Sequence, residues 1–435
     1  MSARESVLGA VPFDLTGPLP AGPTTTVLEA SAGTGKTYAI VGLLARYVAE
    51  GVAELGEIPP RAWFRHNPYA EWYHNTIRLE DSPARAHHDE VYGGADYDDF
   101  LDAWKAESFD ADAVVGELAA AGGSYAMLTT KHHDGVCLWD APGTGDRNTV
   151  ACGPRRDLVG EWAEATRRAG MRFGAYYSGG LDWHARPTDP IGLRDDWEIT
   201  ERPLDLEYAA YAASHVRDLI TRYSPDVLWN DINWPDAGKD FGPDGIGTVF
   251  EEYYAAKPDG LVNDRWEVPH ADYRTSEYQH LLDRETAEQW EHCRGLGLSF
   301  GYNAAEGRGH ALSPLEATRH LVDVVWRGGR LLLGVGPMAD GRLPQWQSEI
   351  LRGIGRWMHV AGELLADVEG DGEVEVPGAW TRLGRSGDHR LLFIDADKPV
   401  EVLTGRLLTP GWAVLESGCL TLAADRPGPA ILTLA

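Results

Sequence analysis

LTTKHHDG at residues 128–135 and DVLWNDINWP at residues 226–235 are the two stretches that decide the fold. Each is a short apolar run that ends abruptly in polar side chains able to bind a ligand. Strands of a β/α barrel show this pattern at their C-terminal ends, where one rim carries the reactive groups. The second stretch places Asp231 directly after an apolar run and between Trp229 and Trp234. Aromatic faces can stack on a pyranose while a carboxylate attacks or stabilises the anomeric carbon, so we expect sugar chemistry.

The composition narrows the class of partner. The chain has 435 residues, enough for one barrel and a smaller domain. Its 39 Lys and Arg against 67 Asp and Glu give a net charge of −28, and such a surface repels phosphate backbones. We therefore expect no nucleic-acid partner, whereas a neutral sugar is compatible with this charge. The 16 Trp and 17 Tyr suit a carbohydrate site and equally an aromatic core.

Cysteine usage and hydropathy bear on cofactors and location. The four cysteines are scattered without a CxxC pair, which argues against a zinc ribbon and indicates no disulfide framework. No stretch approaches the ~18 apolar residues of a membrane span. The N-terminal segment has no continuous apolar core of the kind that signal peptides carry. We therefore expect a cytoplasmic protein with no membrane partner, and the sequence leaves its oligomeric state open.

From about residue 111 onward, amphipathic helices alternate with short buried strands. Helices are predicted at 111–121, 158–169, 207–223, 248–256, 314–326 and 345–360. Strands are predicted at 125–130, 172–178, 226–230, 260–263, 298–302 and 330–334. This alternation indicates parallel strands with crossover helices. Because polar or aromatic candidate residues stand at the strand ends, an α/β fold of the (β/α)8 TIM-barrel type is favoured over an open sheet.

The last part of the chain has a different pattern. Short alternating runs at 389–395, 400–404, 419–423 and 430–435 are broken by Gly, Pro and Asp, with no helix predicted between them. This pattern is typical of a small antiparallel β-sandwich. We therefore predict three parts: an N-terminal segment at 1–56, a catalytic barrel at 57–364 and a C-terminal β-sandwich at 365–435.

The N-terminal segment contains a phosphate-loop pattern. Residues 25–30 are predicted as a strand, SAGTGKT follows at 31–37, and a helix is predicted at 38–54. In such a strand–loop–helix unit, backbone N–H groups and the helix N-terminus cradle phosphates. The glycines, among them Gly35, let the loop turn, Lys36 neutralises the phosphates, and Thr37 would hold Mg²⁺.

Residues from about 54 to 435 resemble bacterial α-L-fucosidases of glycoside hydrolase family 29. The resemblance is carried by NPYAEWY (67–73), TTKHHDG (129–135), GPRRDLVGE (153–161), RFGAYYSGGLDW (172–183), PDVLWNDINWP (225–235), NDRW (263–266) and LSFGYN (298–303). It implies a distorted β/α barrel followed by a β-sandwich, in agreement with the pattern above. It also implies retaining hydrolysis of terminal α-L-fucose on an oligosaccharide or glycoconjugate, with no metal or organic cofactor.

The same resemblance implies roles for individual residues. Asp231 in the WND stretch matches the family's nucleophile, and Glu277, in a T-x-E-Y context after NDRW, matches the acid/base. The positions that match the lining of the fucose pocket are Glu71, Trp72, His132, His133, Tyr176, Trp229, Arg265 and Phe300. The adjacent histidines also suggest a metal, but neighbouring residues on a strand point to opposite faces, so we expect sugar recognition instead.

The N-terminus departs from this family. Residues 13–53 resemble the first strand, P-loop and helix of a RecB-type superfamily 1 helicase subunit, yet no helicase motif series follows. The family's usual opening strand, ending in a His-Trp-Gly stretch whose histidine binds fucose, is absent. We therefore expect a barrel that lacks its usual first strand, with Gly35, Lys36 and Thr37 vestigial. As an alternative, residues 25–30 take the place of that strand.

Two functions of other classes stay open at this point. Loss of the first strand and its histidine would leave a fucose-binding protein without catalysis. The segment at 13–53 suggests a nucleotide-dependent protein that acts on DNA, which the net charge and the missing motifs oppose. The linkage preference depends on loops that the sequence does not position.

Overall fold

Eight parallel strands form one sheet in the middle of the chain. They are β1 Ala39–Gly42, β2 Tyr125–Lys131, β3 Arg172–Ser178, β4 Val227–Asp231, β5 Leu261–Val262, β6 Arg274–Glu277, β7 Trp290–Gly295 and β8 Arg330–Val335. Their order is β5-β4-β3-β2-β1-β8-β7-β6, and each pair of neighbours is parallel. The structure is a computed structural model that describes residues 39–42, 69–80, 82–192, 202–278, 280–283, 289–372, 374–402 and 405–434.

The strands at the two ends of this order, β5 and β6, are themselves joined by backbone contacts. An isolated parallel bridge pairs Asn263 with Tyr273. The Asp272 N–H donates to the Val262 carbonyl at 3.0 Å. The seam between β5 and β6 therefore carries the kind of backbone pairing that an open sheet edge lacks.

Helices connect most of these strands, as parallel pairing requires. They are α1 Tyr73–Thr76, α2 Pro83–Tyr92, α3 Tyr97–Ala103, α4 Ala111–Ala120, α5 Leu158–Arg168, α6 Leu206–Tyr223, α7 Ile246–Ala256, α8 Pro314–Trp326 and α9 Gln345–Ala366. The start of α8 shows how the sequence sets a helix boundary: Ser313 and Glu316 form a capping box, and Pro314 fills the first helical position. Two 3₁₀ turns, Ala70–Trp72 and Asp264–Trp266, carry predicted site residues.

Both faces of the sheet are buried, which explains why its strands are apolar on both sides. Residues such as Leu128 and Phe173 join the core that includes the helices. The opposite face forms a cluster of its own, whose buried members are Met127, Tyr176, Val227, Trp229, Cys293 and Leu332. Tyr176 and Trp229 therefore lie on this inner face, near the C-terminal ends of β3 and β4.

The place of the usual first strand is filled, although we expected it to be empty. Ala39–Gly42 lies between β8 and β2 and pairs with both: Ala39 is in register with Tyr125, and all four residues are in register with the stretch 332–335 of β8. The helix predicted at 38–54 is therefore wrong at 39–42. Backbone pairing on two edges outweighs local helix propensity here, in a stretch that contains the β-branched residues Ile40 and Val41. The alternative occupant, 25–30, lies outside the described residues.

Other predicted elements can be compared directly. All six helices predicted from residue 111 onward are present, and the predicted strands at 125–130, 172–178, 226–230, 260–263 and 330–334 are confirmed with small shifts of their ends. The strand predicted at 298–302 is wrong, because that stretch is an irregular loop whose N–H groups donate to buried carboxylates. The strands β6 and β7 were not predicted, since charged residues interrupt their apolar pattern.

Antiparallel sheets follow α9. Their strands are β9 Glu369–Gly370, β10 Trp380–Ser386, β11 His389–Asp395, β12 Val400–Glu401, β13 Gly405–Leu407, β14 Ala413–Glu416, β15 Cys419–Leu422 and β16 Ala430–Leu434. One sheet has the order β13-β16-β11-β10-β9 and the other β12-β15-β14. Hydrogen bonds from Thr318 to the Pro427 carbonyl and from Trp357 to the Pro429 carbonyl fasten this part to α8 and α9. Among the described residues, no helix is long and apolar enough to cross a bilayer.

Candidate active site

One guanidinium joins the two carboxylates that the sequence singled out. Arg265 lies in the 3₁₀ turn after β5, Asp231 ends β4, and Glu277 ends β6. Arg265 Nη1 lies 3.0 Å from Asp231 Oδ1, and Nη2 lies 2.9 Å from Glu277 Oε2. Burial lowers the pKa of Arg265, but the charges of Glu277 and Asp231 outweigh it and raise the pKa well above its ordinary value. The guanidinium therefore stays charged between two acids on one rim of the sheet.

Further hydrogen bonds orient Asp231. The Tyr176 hydroxyl donates to Oδ2 at 2.8 Å, and the Ile232 N–H donates to Oδ1 at 3.0 Å. The backbone then takes positive φ angles at Ile232 (58°) and Asn233 (75°), which is an unusual conformation, especially for a β-branched residue. A Cβ atom at Gly180 would lie 1.6 Å from the Ile232 carbonyl oxygen, so only glycine permits this turn. The geometry fixes Asp231 while leaving its side chain 13% exposed.

The Trp229 ring contacts several site residues at once. The Arg265 guanidinium lies 4.6 Å from the ring centroid, within the range of a cation–π interaction. Tyr176 stacks on Trp229 with centroids 5.3 Å apart. The indole N–H donates to Glu291 Oε1 at 2.8 Å. Glu291 was not predicted as a site residue, because the strand that carries it was not recognised.

His133 is held in a buried pocket beside Asp231. Its Nδ1 lies 2.6 Å from the Ser178 hydroxyl, and its Nε2 lies 4.0 Å from Asp231 Oδ2. The rings of Trp72 and Trp183 approach it at centroid distances of 5.1 and 5.4 Å. Burial, together with the charge of Lys131, lowers the pKa of His133 well below its ordinary value. His133 is therefore neutral and can exchange hydrogen bonds with hydroxyl groups.

The rings of His132 and His133 lie side by side, contrary to the prediction from strand geometry. We expected His132 and His133 to point to opposite faces of a strand, but β2 ends at Lys131 and the two rings lie 3.8 Å apart. His132 also stacks near Tyr176, with centroids 5.8 Å apart. Within the described residues, no group of three or more His, Cys, Asp and Glu side chains is arranged to hold a metal ion.

Glu71 accepts hydrogen bonds from the loop that carries Phe300. The Phe300 N–H donates to Glu71 Oε1 at 3.3 Å, and the Gly301 N–H donates to Oε2 at 3.0 Å. Tyr69 packs against the edge of Phe300 at 5.7 Å, and its hydroxyl donates to Glu277 Oε1 at 3.3 Å. Tyr69 was missed as a site residue, although it stands in the quoted stretch NPYAEWY. Its position two residues before Glu71 was the available signal.

A second buried acid holds the same loop. The Ser299 N–H and hydroxyl each donate to Glu306 Oε1 at 2.8 Å. Burial raises the pKa of Glu306 and that of Glu71 from 4.5 to about 7, although the hydrogen bonds they accept oppose this shift. The loop that carries Phe300 is thus fastened by two carboxyl groups that gain protons at unusually high pH.

This pKa shift predicts how stability depends on pH. A carboxyl group whose pKa is higher in the folded state contributes stability that is complete below about pH 4.5 and is lost as pH rises through about 7. The free energy of unfolding of the wild-type protein should therefore fall as pH rises from about 4.5 to about 7. In Glu306→Gln this fall should be smaller by roughly 1–3 kcal/mol. Urea denaturation at both pH values measures the change, with exposed Glu363→Gln as the control. Equal pH dependence in both variants would contradict the prediction.

The described contacts connect all ten predicted catalytic and sugar-binding residues. Trp72 contacts His133, which approaches Asp231, and His132 stacks near Tyr176. The other contacts form a chain in which each residue touches the next, in this order: Tyr176, Trp229, Arg265, Glu277, Tyr69, Phe300 and Glu71. The predicted phosphate-loop residues Gly35, Lys36 and Thr37 lie outside the described residues.

Comparison with known proteins gives the class that this fold and site define. The family model described as α-L-fucosidase matches residues 41–363, so the chain belongs to the α-L-fucosidase family. This match begins within the N-terminal segment 1–56, which we predicted to be separate from the barrel. The boundaries at 56/57 and 364/365 stay predictions, and α9 extends across the second of them.

Individual relatives agree with this class. A Thermotoga maritima α-fucosidase solved in complex with fucose is 37% identical, with a TM-score of 0.76 over 92% of this chain and 92% of that one. An α-L-fucosidase isoenzyme from Paenibacillus thiaminolyticus is 26% identical, with a TM-score of 0.67 over 92% of this chain and 96% of that one. The α-L-fucosidase of Dictyostelium discoideum is 29% identical over 69% of this chain, and the match spans 66% of that relative's length.

Proposed function

We propose that this protein hydrolyses terminal α-L-fucose from oligosaccharides or glycoconjugates by a retaining double displacement. The observation that carries the proposal is the placement of Asp231 and Glu277 on the two terminal nitrogens of Arg265. Asp231 accepts hydrogen bonds from several donors, and Glu277 lies on the same rim with the Tyr69 hydroxyl beside it, which suits the roles of nucleophile and acid/base. The fucose-bound Thermotoga maritima relative supports fucose as the sugar.

In the first step, Asp231 attacks C1 of the fucosyl group and Glu277 donates its proton to the leaving oxygen. The C1–O bond to the leaving group breaks as the bond between C1 and Asp231 forms, which gives a fucosyl ester of inverted configuration. The Tyr176 hydroxyl and Arg265 hold the attacking carboxylate in place. Neutral His133, beside Asp231, is placed to hydrogen-bond a sugar hydroxyl.

In the second step, ionised Glu277 removes a proton from water, and the oxygen of that water attacks C1. The ester bond to Asp231 breaks, and the second inversion restores the α configuration. Arg265 stabilises Glu277 while it is ionised and stabilises Asp231 as it leaves. One cation thus serves both half-reactions.

We also propose that the eight-stranded sheet closes into a (β/α)8 barrel with the C-terminal strands as a β-sandwich. The bridge between Asn263 and Tyr273 supports closure at one seam. The pairing of Ala39–Gly42 with β8 and β2 supports continuity at the place of the usual first strand. A closed barrel would hold Asp231 and Glu277 on one rim, as the reaction requires.

The test is hydrolysis of 4-nitrophenyl α-L-fucopyranoside by the purified protein, with the β-L-fucoside as the control substrate. Release of nitrophenol from the α-anomer only is expected. Proton NMR in the first minutes should show α-L-fucose before mutarotation produces the β-anomer. Initial formation of β-L-fucose would contradict the double displacement, and absence of turnover by folded protein would contradict the proposed function.

A further inference from the structure

Glu291 is a buried carboxyl group to which none of the roles above is assigned. It lies in β7 with 4% of its surface exposed. It accepts a hydrogen bond from Trp229 Nε1 at 2.8 Å and another from the Tyr125 hydroxyl. Burying a carboxylate is costly unless its charge is compensated, so a glutamate at this position requires an explanation.

Trp229 connects Glu291 to the reacting groups. The edge of the indole ring binds Glu291, and the Arg265 guanidinium lies 4.6 Å from the ring centroid. Negative charge at the indole N–H increases electron density on the ring, which strengthens its attraction for the guanidinium. Arg265 in turn binds Asp231 and Glu277. Glu291 therefore acts on both acids through one aromatic ring and one guanidinium.

The other charged and titratable groups near Glu291 come from several elements. They are Tyr125 in β2, Asp264 and Arg265 in the turn after β5, Tyr273 beside β6, and Cys293 in β7. Burial raises the pKa of Glu291 to about 7, while Tyr125, Trp229 and Arg265 act in the opposite direction. Arg265 is the cation in this set, so it balances Glu291 as well as the two reacting acids.

We propose that Glu291 is a positioning residue for the hydrolytic reaction. It fixes Trp229, and through that ring it holds Arg265 where the guanidinium can pair with Asp231 and Glu277. This inference rests on the proposed fucosidase function and adds a residue that touches neither the sugar nor the reacting atoms. The ionised form of Glu291 is the active one, because both of its partners are hydrogen-bond donors.

Glu291→Gln tests this role, because it removes the charge and keeps the size of the side chain. With 4-nitrophenyl α-L-fucopyranoside, we expect kcat to fall about 10–100-fold, within the range for a group that tunes a catalytic acid or base, and KM to change little. Because the ionised form is the active one and burial raises the pKa of Glu291 to about 7, the wild-type kcat/KM should fall as pH drops through about 7, and in Glu291→Gln this acidic limb should move to lower pH. Wild-type kcat with an unmoved profile would overturn the inference.

Two further variants complete the experiment. Asp272→Asn is the matched control, since Asp272 also accepts from a tyrosine hydroxyl and an N–H group, each at 2.7 Å, and its described contacts do not include Trp229 or Arg265. It should leave the profile in place; an equal shift there would overturn the inference. If Glu291→Gln does not fold, Tyr125→Phe carries the test. It removes a donor that favours the ionised form of Glu291, so the acidic limb should move to higher pH, and an unmoved profile would overturn the role. Lack of turnover by the wild-type protein would overturn the proposed function and this inference together.

Discussion

Asp231→Ala is expected to reduce hydrolysis of α-L-fucosides by on the order of 10⁴-fold or more, because it removes the group that forms the covalent intermediate. The fold should persist. Arg265 keeps its partner Glu277 and its contact with the Trp229 ring, so no buried charge is left unpaired. Initial rates with 4-nitrophenyl α-L-fucopyranoside measure the loss, and thermal unfolding measures the retained stability.

A small anion can distinguish loss of the nucleophile from general damage. Azide fits the space left by the Asp231 carboxylate and attacks C1 from the same side, so Asp231→Ala with azide should form β-L-fucosyl azide by a single inversion. The control is Asp236→Ala, an aspartate on the same loop with a side chain that is 52% exposed, which should remain fully active. Near-normal turnover by Asp231→Ala, or rescue to the α-azide, would contradict the assignment of the nucleophile.

Glu277→Ala should have the second-largest effect, and its size should depend on the leaving group. For a sugar alcohol, which needs a proton to depart, we expect a loss of about 10²–10⁴-fold. For 2,4-dinitrophenol, which leaves readily as an anion, the first step should remain fast and the fucosyl ester should accumulate. Stopped-flow absorbance would show this as a burst of dinitrophenol followed by slow steady turnover.

The anomer of the azide product distinguishes the role of Glu277 from that of Asp231. In Glu277→Ala, azide replaces water in the second step, so the product should be α-L-fucosyl azide, the opposite anomer from that of Asp231→Ala. Exposed Glu267, at the end of the turn that carries Arg265, provides the control Glu267→Ala. A uniform loss on both leaving groups without a burst would contradict the acid/base role of Glu277.

Much of the fold follows from the sequence because local signals and tertiary packing agree there. The strand Arg172–Ser178 and the helix Pro314–Trp326 have the predicted bounds, since one is a continuous apolar run and the other begins with a capping box and proline. Asp231 also follows from the pattern, because it stands directly after a predicted strand, and parallel strands bring such ends to one rim. Glu277 came from the family resemblance alone, since the strand β6 that it ends was not predicted.

The wrong or missing predictions fall where residues far apart in the sequence determine the structure. Ala39–Gly42 is a strand because β8 and β2 supply hydrogen bonds on both sides, and no local pattern encodes those neighbours. The stretch 298–302 has strand composition but forms a loop, because Glu71 and Glu306 take its N–H groups from far along the chain or across the turn. Glu291 was missed for the same reason: its importance comes from Trp229, which lies three strands away in the sheet order counted through the β5–β6 seam.

Ala39–Gly42 joins the sheet through its backbone, so its structural role does not require particular side chains. Its described contribution is backbone pairing with β8 and β2, and backbone groups are common to nearly every sequence. A change in the sequence of this strand that keeps it extended can therefore preserve the sheet. The first strand is thus an exchangeable part of the scaffold, because the backbone hydrogen bonds that hold it are ones that nearly any sequence can supply.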